Sequence, residues 1–236
     1  GGLVEVVPTA HYMMGGVEFA ADCRTAIEGL FAAGEDTGGV HGANRLGGNG
    51  VANSTVFGAI AGDAMAAWTA REGEWREPAP GALDEACARV MFPVGRAPGS
   101  VEGVREGLYR VMWDDVGILR DAAGLARADS QLVALDEELR GIGVAAGDLR
   151  YNLTWHDWLN LASLISVSRA ICAAALARTD SRGAHFREDF PQTGELATSA
   201  FSRVQLLQAA GADRFDVSFR PVQFTRVRPG QSLIAG

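Results

Sequence analysis

The segment from residue 41 to residue 50 reads HGANRLGGNG and sets one arginine, Arg45, among four glycines. Glycine allows positive φ angles and lets a flat ligand lie against bare backbone. A helix predicted to begin near Val51 points its free N–H groups back at this loop, which favours an electron-rich or anionic ligand. Arg45 adds a planar, permanently charged fork that matches a carboxylate. Taken alone, however, the segment is better explained by a structural ion pair in a tight turn, because short glycine motifs recur often.

The charge and cysteine content exclude several classes of site. The 236 residues carry a net charge of −8, and all basic side chains except four histidines are arginines that form no cluster, which argues against a nucleic-acid partner. Three cysteines, Cys23, Cys87 and Cys172, lie far apart without a CxxC pair, so no metal site or disulfide framework is predicted. A reducing cytoplasm is therefore the expected location.

The composition predicts a folded protein with a substantial hydrophobic core, since 47% of the 236 residues are apolar. The most apolar helical stretch, Leu159 to Leu176, contains several polar residues and Arg169. It is typical of a core helix, and no direct membrane span is expected. Because the chain opens with Gly-Gly-Leu, we expect it to begin in the middle of a fold.

The hydrophobic period changes along the chain from about 2 to about 3.6 and back, which predicts an α+β fold that is mainly α. The predicted domains are residues 1–71 (α/β), a Pro- and Gly-containing linker at 72–82, a helical domain at 83–192 and a β-rich tail at 193–236. Helices are predicted at 51–70, 83–92, 100–120, 129–146 and 154–178, the last with Thr154 as N-cap. Strands are predicted at 3–7, 12–19, 29–33, 201–207, 215–219 and 222–227.

Five ordered blocks make the chain recognisable: PTAHYMMGGV (8–17), GLFAAGE (29–35), HGANRLGGN (41–49), VFGAIAG (56–62) and SRGAHFREDFP (181–191). Their order and spacing resemble the flavoprotein subunit of succinate dehydrogenase and fumarate reductase, with L-aspartate oxidase as a close relative. The resemblance implies the C-terminal segment of an FAD-binding α/β domain, then a helical domain and a small antiparallel β tail. The family's GxGxxG half and its capping domain have no counterpart here. We therefore expect a half-enzyme, inactive without an N-terminal half on the same or another chain.

The resemblance implies a role for individual residues of the first segment. His11 matches a histidine that hydrogen-bonds a substrate carboxylate, and Arg45 matches an arginine that binds one. No catalytic residue is expected here, because the family's proton-donating arginine belongs to the capping domain. The chain departs from the family's Asn-Ser-Leu-Leu with Asn-Gly-Val-Ala at 49–52, which can keep a backbone contact but not a serine hydroxyl. The residues expected at FAD are Glu35, at the ribose or ribityl hydroxyls, and the flavin-binding loop residues Gly48, Asn49, Gly50 and Val51.

The function implied is hydride transfer between FAD and a small dicarboxylate of the succinate or fumarate type. An L-aspartate oxidase-type enzyme and a non-catalytic interaction or assembly domain are the alternatives. The implied partners are the N-terminal half and an iron–sulfur subunit, which would hold the protein at the inner face of a membrane. His41 is expected to form a hydrogen bond with the backbone of its loop. Arg182 and His185 could reach the active site or brace the junction between a helix and the strands. We favour bracing for this last pair.

Overall fold

The computed structural model describes residues 1–5, 11–145, 149–209 and 212–231. It is mostly helical with a small antiparallel sheet near the C-terminus, as the sequence predicts. The chain divides into two compact units, Gly1–Glu77 and Pro78–Gly236. The elements are α1 (Asn49–Glu72), α2 (Ala82–Met91), α3 (Val101–Asp114), α4 (Ala122–Gly141), α5 (Leu153–Ala177), β1 (Ala200–Ala209) and β2 (Ala212–Pro221).

The first unit consists of α1 and the loops that precede it. The strands predicted at 12–19 and 29–33 are wrong: among the described residues, these segments form only isolated bridges, Val17 to Thr37 and Arg24 to Phe31. A strand needs neighbours for its backbone N–H and C=O groups, and the described part of this unit offers no sheet to join. The prediction at 3–7 lies partly outside the described residues, as do residues 8–10 of the first motif.

The core of the second unit lies between α3, α4 and α5. These helices meet through apolar side chains that are almost completely buried. Close packing of this kind excludes water from the bundle and supplies most of its stability. The side chains at the centre are Val104, Leu108, Leu125, Leu132, Leu161, Ile165 and Cys172.

Helix α5 is long and apolar enough to cross a membrane by length and composition. Its Trp158, Leu161 and Ile165 are nevertheless buried in the bundle, and the Trp158 indole donates to the carbonyls of Leu139 and Ile142. These contacts place one face of α5 in the helical core.

Several predicted element ends are wrong for local reasons. Helix α4 begins at Ala122 and not at 129, because Asp121 accepts a hydrogen bond from the Gly124 N–H and acts as N-cap. Helix α5 is capped by Asn152, which accepts from the Trp155 N–H, so Thr154 already lies inside the helix.

The C-terminal sheet is a hairpin of β1 and β2 in which Val204 faces Val217. Both strands contact α5. The third strand predicted at 222–227 is wrong. The Val222 N–H donates a hydrogen bond to the Ser199 carbonyl, and from there to residue 227 the chain has no strand structure.

A buried arginine, Arg187, joins the end of α5 to the start of α4. Its side chain is 1% exposed, and Nη1 donates to the carbonyls of Ala175, Leu176 and Arg178. Nε and Nη2 donate to the two carboxylate oxygens of Asp189, at 2.8 and 2.7 Å. Asp189 also accepts from the Ala122 N–H at 3.0 Å, and its pKa is lowered to about 2, chiefly by the hydrogen bond from Arg187. The cation thus lies at a helix C-terminus and the anion at a helix N-terminus, the arrangement that both helix dipoles favour.

We predict that Arg187→Met destabilises the protein by about 3 kcal/mol, because it leaves three carbonyls and the Asp189 carboxylate without their buried donor. Urea unfolding followed by far-UV circular dichroism measures the change. The matched control is Arg214→Met, which removes an exposed pair with Asp216 and should cost less than about 0.5 kcal/mol. Equal losses for the two variants would contradict the role assigned to Arg187.

Candidate functional site

The structure brings together His11 and Arg45, which lie 34 residues apart in the sequence. Arg45 Nη2 lies 3.0 Å from His11 Nδ1, and Arg45 Nη1 donates to the Leu46 carbonyl at 3.1 Å. A guanidinium can only donate hydrogen bonds, so Nδ1 of His11 must be the acceptor. The neutral His11 ring then carries its proton on Nε2, where it can donate to a ligand.

Arg45 has one buried donor nitrogen that is unused among the described residues. Its Nε–H is buried and has no hydrogen-bond partner there. A buried donor without an acceptor is unfavourable and calls for an explanation, such as a ligand that supplies the acceptor. A carboxylate is the acceptor that a guanidinium binds best.

A polar network behind this pair is centred on Tyr12. The Tyr12 hydroxyl accepts from Asn53 Nδ2 at 2.9 Å and lies 3.2 Å from His41 Nε2. Asn53, on α1, is buried and also donates to the Gly34 carbonyl at 3.0 Å. The described contacts of His41 are therefore with side chains, not with the loop backbone that we expected. No sequence pattern indicates Tyr12 or Asn53, whose roles appear only in their contacts.

The Glu35 carboxylate is hydrogen-bonded to the backbone close to His11. Its Oε1 accepts a hydrogen bond from the Met13 N–H at 2.8 Å, which ties the end of the GLFAAGE block to the segment after His11. The predicted contact with ribose or ribityl hydroxyls remains a prediction.

The residues predicted to contact the flavin, Gly48 to Val51, form the N-cap and first turn of α1. Gly48 has a φ of 81°, in the left-handed region, and no side chain of the described residues caps the helix. The first turn contains no acidic residue, and a Cβ on Gly47 or Gly48 would meet nothing within 4 Å. Open, uncapped backbone that includes the N–H groups of Gly50 and Val51 fits an electron-rich ring or an anion.

The later candidates Arg182 and His185 belong to the second unit. Arg182 donates to Ser199 Oγ and to the Thr193 carbonyl, and its Nη2 lies 3.0 Å from Asp180. These contacts tie the loop to the segment before β1, as a brace does. His185 Nδ1 lies 2.8 Å from Arg120 Nη1, and burial, followed by the nearby arginine charges, lowers the pKa of His185 to about 4.

Two family models match the chain. Residues 3–51 match the model described as FAD binding domain, and residues 105–233 match the one described as fumarate reductase flavoprotein C-term. The first match includes the residues predicted to bind the substrate and FAD, from His11 to Val51. The second covers more than half of the chain.

Known proteins resemble the chain over most of its length. It is 40% identical over 194 residues to an uncharacterized FAD-dependent oxidoreductase of Methanocaldococcus jannaschii, covering 80% of this chain and 34% of that protein. It is 32% identical over 240 residues to a fumarate reductase flavoprotein subunit of Mycobacterium tuberculosis, covering 98% of this chain and 40% of the relative. Mycobacterium smegmatis Sdh1, solved in complex with UQ1, matches with a TM-score of 0.81 and 32% identity over 90% of this chain and 36% of that one. The chain thus spans between about a third and two fifths of the length of these relatives.

The lowered pKa of His185 predicts a loss of stability in mild acid. Because this pKa falls from 6.5 to about 4 on folding, the unfolded chain binds the proton first as the pH drops. The contribution of neutral His185 to the free energy of unfolding is fully present above its pKa in the unfolded chain, 6.5. It is lost progressively as the pH falls from there towards the pKa in the folded protein, about 4. Urea unfolding between pH 7.5 and 5 measures it. His185→Gln, which keeps an acceptor for Arg120, should flatten the pH dependence; an unchanged slope would contradict the assignment.

Proposed function

Because the chain belongs to the fumarate reductase flavoprotein C-terminal family, we propose that it forms the substrate-binding part of an FAD-dependent oxidoreductase that acts on a small dicarboxylate. The observation that carries this proposal is the contact between Arg45 and His11, with one buried arginine donor left over. A domain kept only for packing would have no physical need for this pair. FAD is the cofactor of the family, and the open N-terminus of α1 fits its ring.

The chemistry of the proposed site divides between cofactor and protein. The flavin, when bound, supplies the acceptor or donor of a hydride. Arg45 offers a charged donor to one substrate carboxylate, and the Nε2–H of His11 adds a neutral donor beside it. Fixing the carboxylate fixes the orientation of the neighbouring carbon atoms, which lowers the entropic part of the barrier. The N–H groups of Gly50 and Val51 would hold the electron-rich edge of the ring, and Glu35 would bind hydroxyls of the cofactor.

The substrate class is a small dicarboxylate of the succinate or fumarate type. Arg45 and His11 account for one carboxylate, which L-aspartate also has, so an aspartate oxidase is the alternative within the same chemistry. An activity screen of the complete enzyme with succinate, fumarate and L-aspartate separates the two. Turnover of none of them, in a protein that holds FAD, would favour the non-catalytic alternative.

The proposed partners follow from the family and from the length of its members. An N-terminal half, on the same or another chain, would supply the pyrophosphate site and the capping domain. An iron–sulfur subunit would carry electrons and hold the protein at the inner face of a membrane from the cytoplasmic side. Copurification of the complete protein with an iron–sulfur chain, detected by its absorbance, tests this arrangement.

We predict that Arg45→Lys lowers kcat/KM of the complete enzyme by an amount equivalent to about 2–4 kcal/mol, because lysine keeps the charge but loses the planar fork. Folding should hardly change. The matched control is Arg24→Lys, at an exposed arginine of the same unit that pairs with Asp22. Near-normal turnover of every dicarboxylate by Arg45→Ala would return Arg45 to a structural role.

We also predict that the 236-residue chain alone binds no FAD and catalyses no reaction. A dinucleotide needs its pyrophosphate held at the N-terminus of a Rossmann helix, and this sequence has no glycine fingerprint after a strand. Mixing the chain with excess FAD, followed by gel filtration and absorbance, measures bound flavin. A colourless chain that becomes yellow and active when the N-terminal half is added agrees with the proposal, whereas a stoichiometric yellow complex of the chain alone would overturn it.

A further inference from the structure

We propose that Tyr12 is a positioning residue of the carboxylate site and acts through Arg45 without touching the ligand. The inference rests on the proposed function, since it concerns the same site. It is carried by three separate constraints on one side chain: the backbone angle, the hydroxyl contacts and the ring contacts.

The backbone at Tyr12 has a φ of 77°. This left-handed conformation is unusual for an aromatic residue and persists only where the surroundings fix it. It sets the direction in which the ring leaves the chain, immediately after His11. The conformation thus points to a residue whose placement matters.

The hydroxyl of Tyr12 is engaged on both sides. Asn53 must turn its amide nitrogen towards Gly34, because the Gly34 carbonyl can only accept. The same nitrogen donates to the Tyr12 oxygen at 2.9 Å, and His41 Nε2 lies 3.2 Å from that oxygen and 3.3 Å from the Asn53 nitrogen. Asn53 and His41 therefore hold the hydroxyl in place, and the proposed role of Tyr12 rests on its ring.

The ring of Tyr12 lies close to both Arg45 and the start of α1. The Arg45 guanidinium carbon lies 4.7 Å from the ring centroid, within the range of a cation–π contact. On the helix side, a Cβ added to Gly50 would lie only 2.8 Å from Tyr12 Cε2. The ring thus supports the guanidinium that contacts His11, and glycine at position 50 leaves space for it.

The experiment uses the complete flavoenzyme and malonate, a dicarboxylate whose single methylene prevents formation of a carbon–carbon double bond. Malonate binding is titrated by the flavin difference spectrum, with FAD content and Tm measured for each variant. We expect Tyr12→Leu, which loses the ring, to weaken malonate binding by about 3- to 30-fold, the range that a cation–π contact provides. Tyr12→Phe, which keeps the ring, should restore most of the affinity.

A double-variant comparison separates positioning through Arg45 from a general structural effect. If Tyr12 acts through Arg45, then Tyr12→Leu should weaken malonate binding no further in an Arg45→Ala background. Additive losses would overturn the inference. Unchanged malonate affinity in Arg45→Ala alone would contradict the proposed function. That result differs from additive losses in the double variant, which contradict only the role of Tyr12.

Gly50→Ala provides the same test with Tyr12 intact, should Tyr12→Leu lose its flavin or fail to fold. The added Cβ displaces the ring, while alanine suits the helix and keeps the backbone N–H. We expect weaker malonate binding that again depends on Arg45. The matched control is Gly58→Ala, on the same helix, where a Cβ meets nothing within 4 Å and no change is expected. Unchanged affinity in Gly50→Ala would overturn the role of the ring.

Discussion

The geometry of the candidate site depends on the polar network around the Tyr12 hydroxyl. This network joins the segment after His11, the loop at Gly34, the loop at His41 and helix α1 through Asn53. The described residues before α1 contain isolated bridges but no strand, so side-chain hydrogen bonds fix positions that a sheet would fix in a larger domain. The network is not completely satisfied, because the buried Asn53 Oδ1 has no hydrogen-bond partner among the described residues, and an unpaired polar group in a buried place is unfavourable.

The second unit is held by different forces. Apolar packing between α3, α4 and α5 provides the core, and the Arg187–Asp189 pair closes two helix ends at once. Burial of this charge is tolerable because each of its described donor nitrogens has an acceptor, whether a carbonyl or the carboxylate. A bundle stabilised by distributed apolar contacts withstands a single surface change, whereas the loss of one central donor such as Arg187 affects two helices.

The sequence predicts the parts of the fold that depend on local pattern. The helices, including α5 with its long apolar run, and the hairpin of β1 and β2 follow from periodicity. The strands predicted at 12–19 and 29–33 fail because strand formation depends on partners that periodicity does not reveal. Tyr12 and Asn53 could not be predicted as a pair, because 41 residues separate them and neither stands in a motif position that signals a contact. Similarly, the early start of α4 depends on Asp121, a cap that the apolar pattern does not include.

Arg187 and Arg45 differ in how their guanidinium donors are satisfied. Arg187 is buried and its Nε, Nη1 and Nη2 all donate to acceptors of its own unit. Arg45 also has a buried Nε, but among the described residues this donor has no acceptor, although Nη1 and Nη2 are engaged. Arg182 Nε, in the second unit, is likewise buried without a partner among the described residues, so an unpaired Nε does not by itself mark a ligand site. Arg45 differs because its Nη2 contacts His11 and because α1 begins a few residues later without a side-chain cap. In the proposed site, a substrate carboxylate supplies the acceptor for Arg45 Nε, because a carboxylate is the group that a guanidinium binds best.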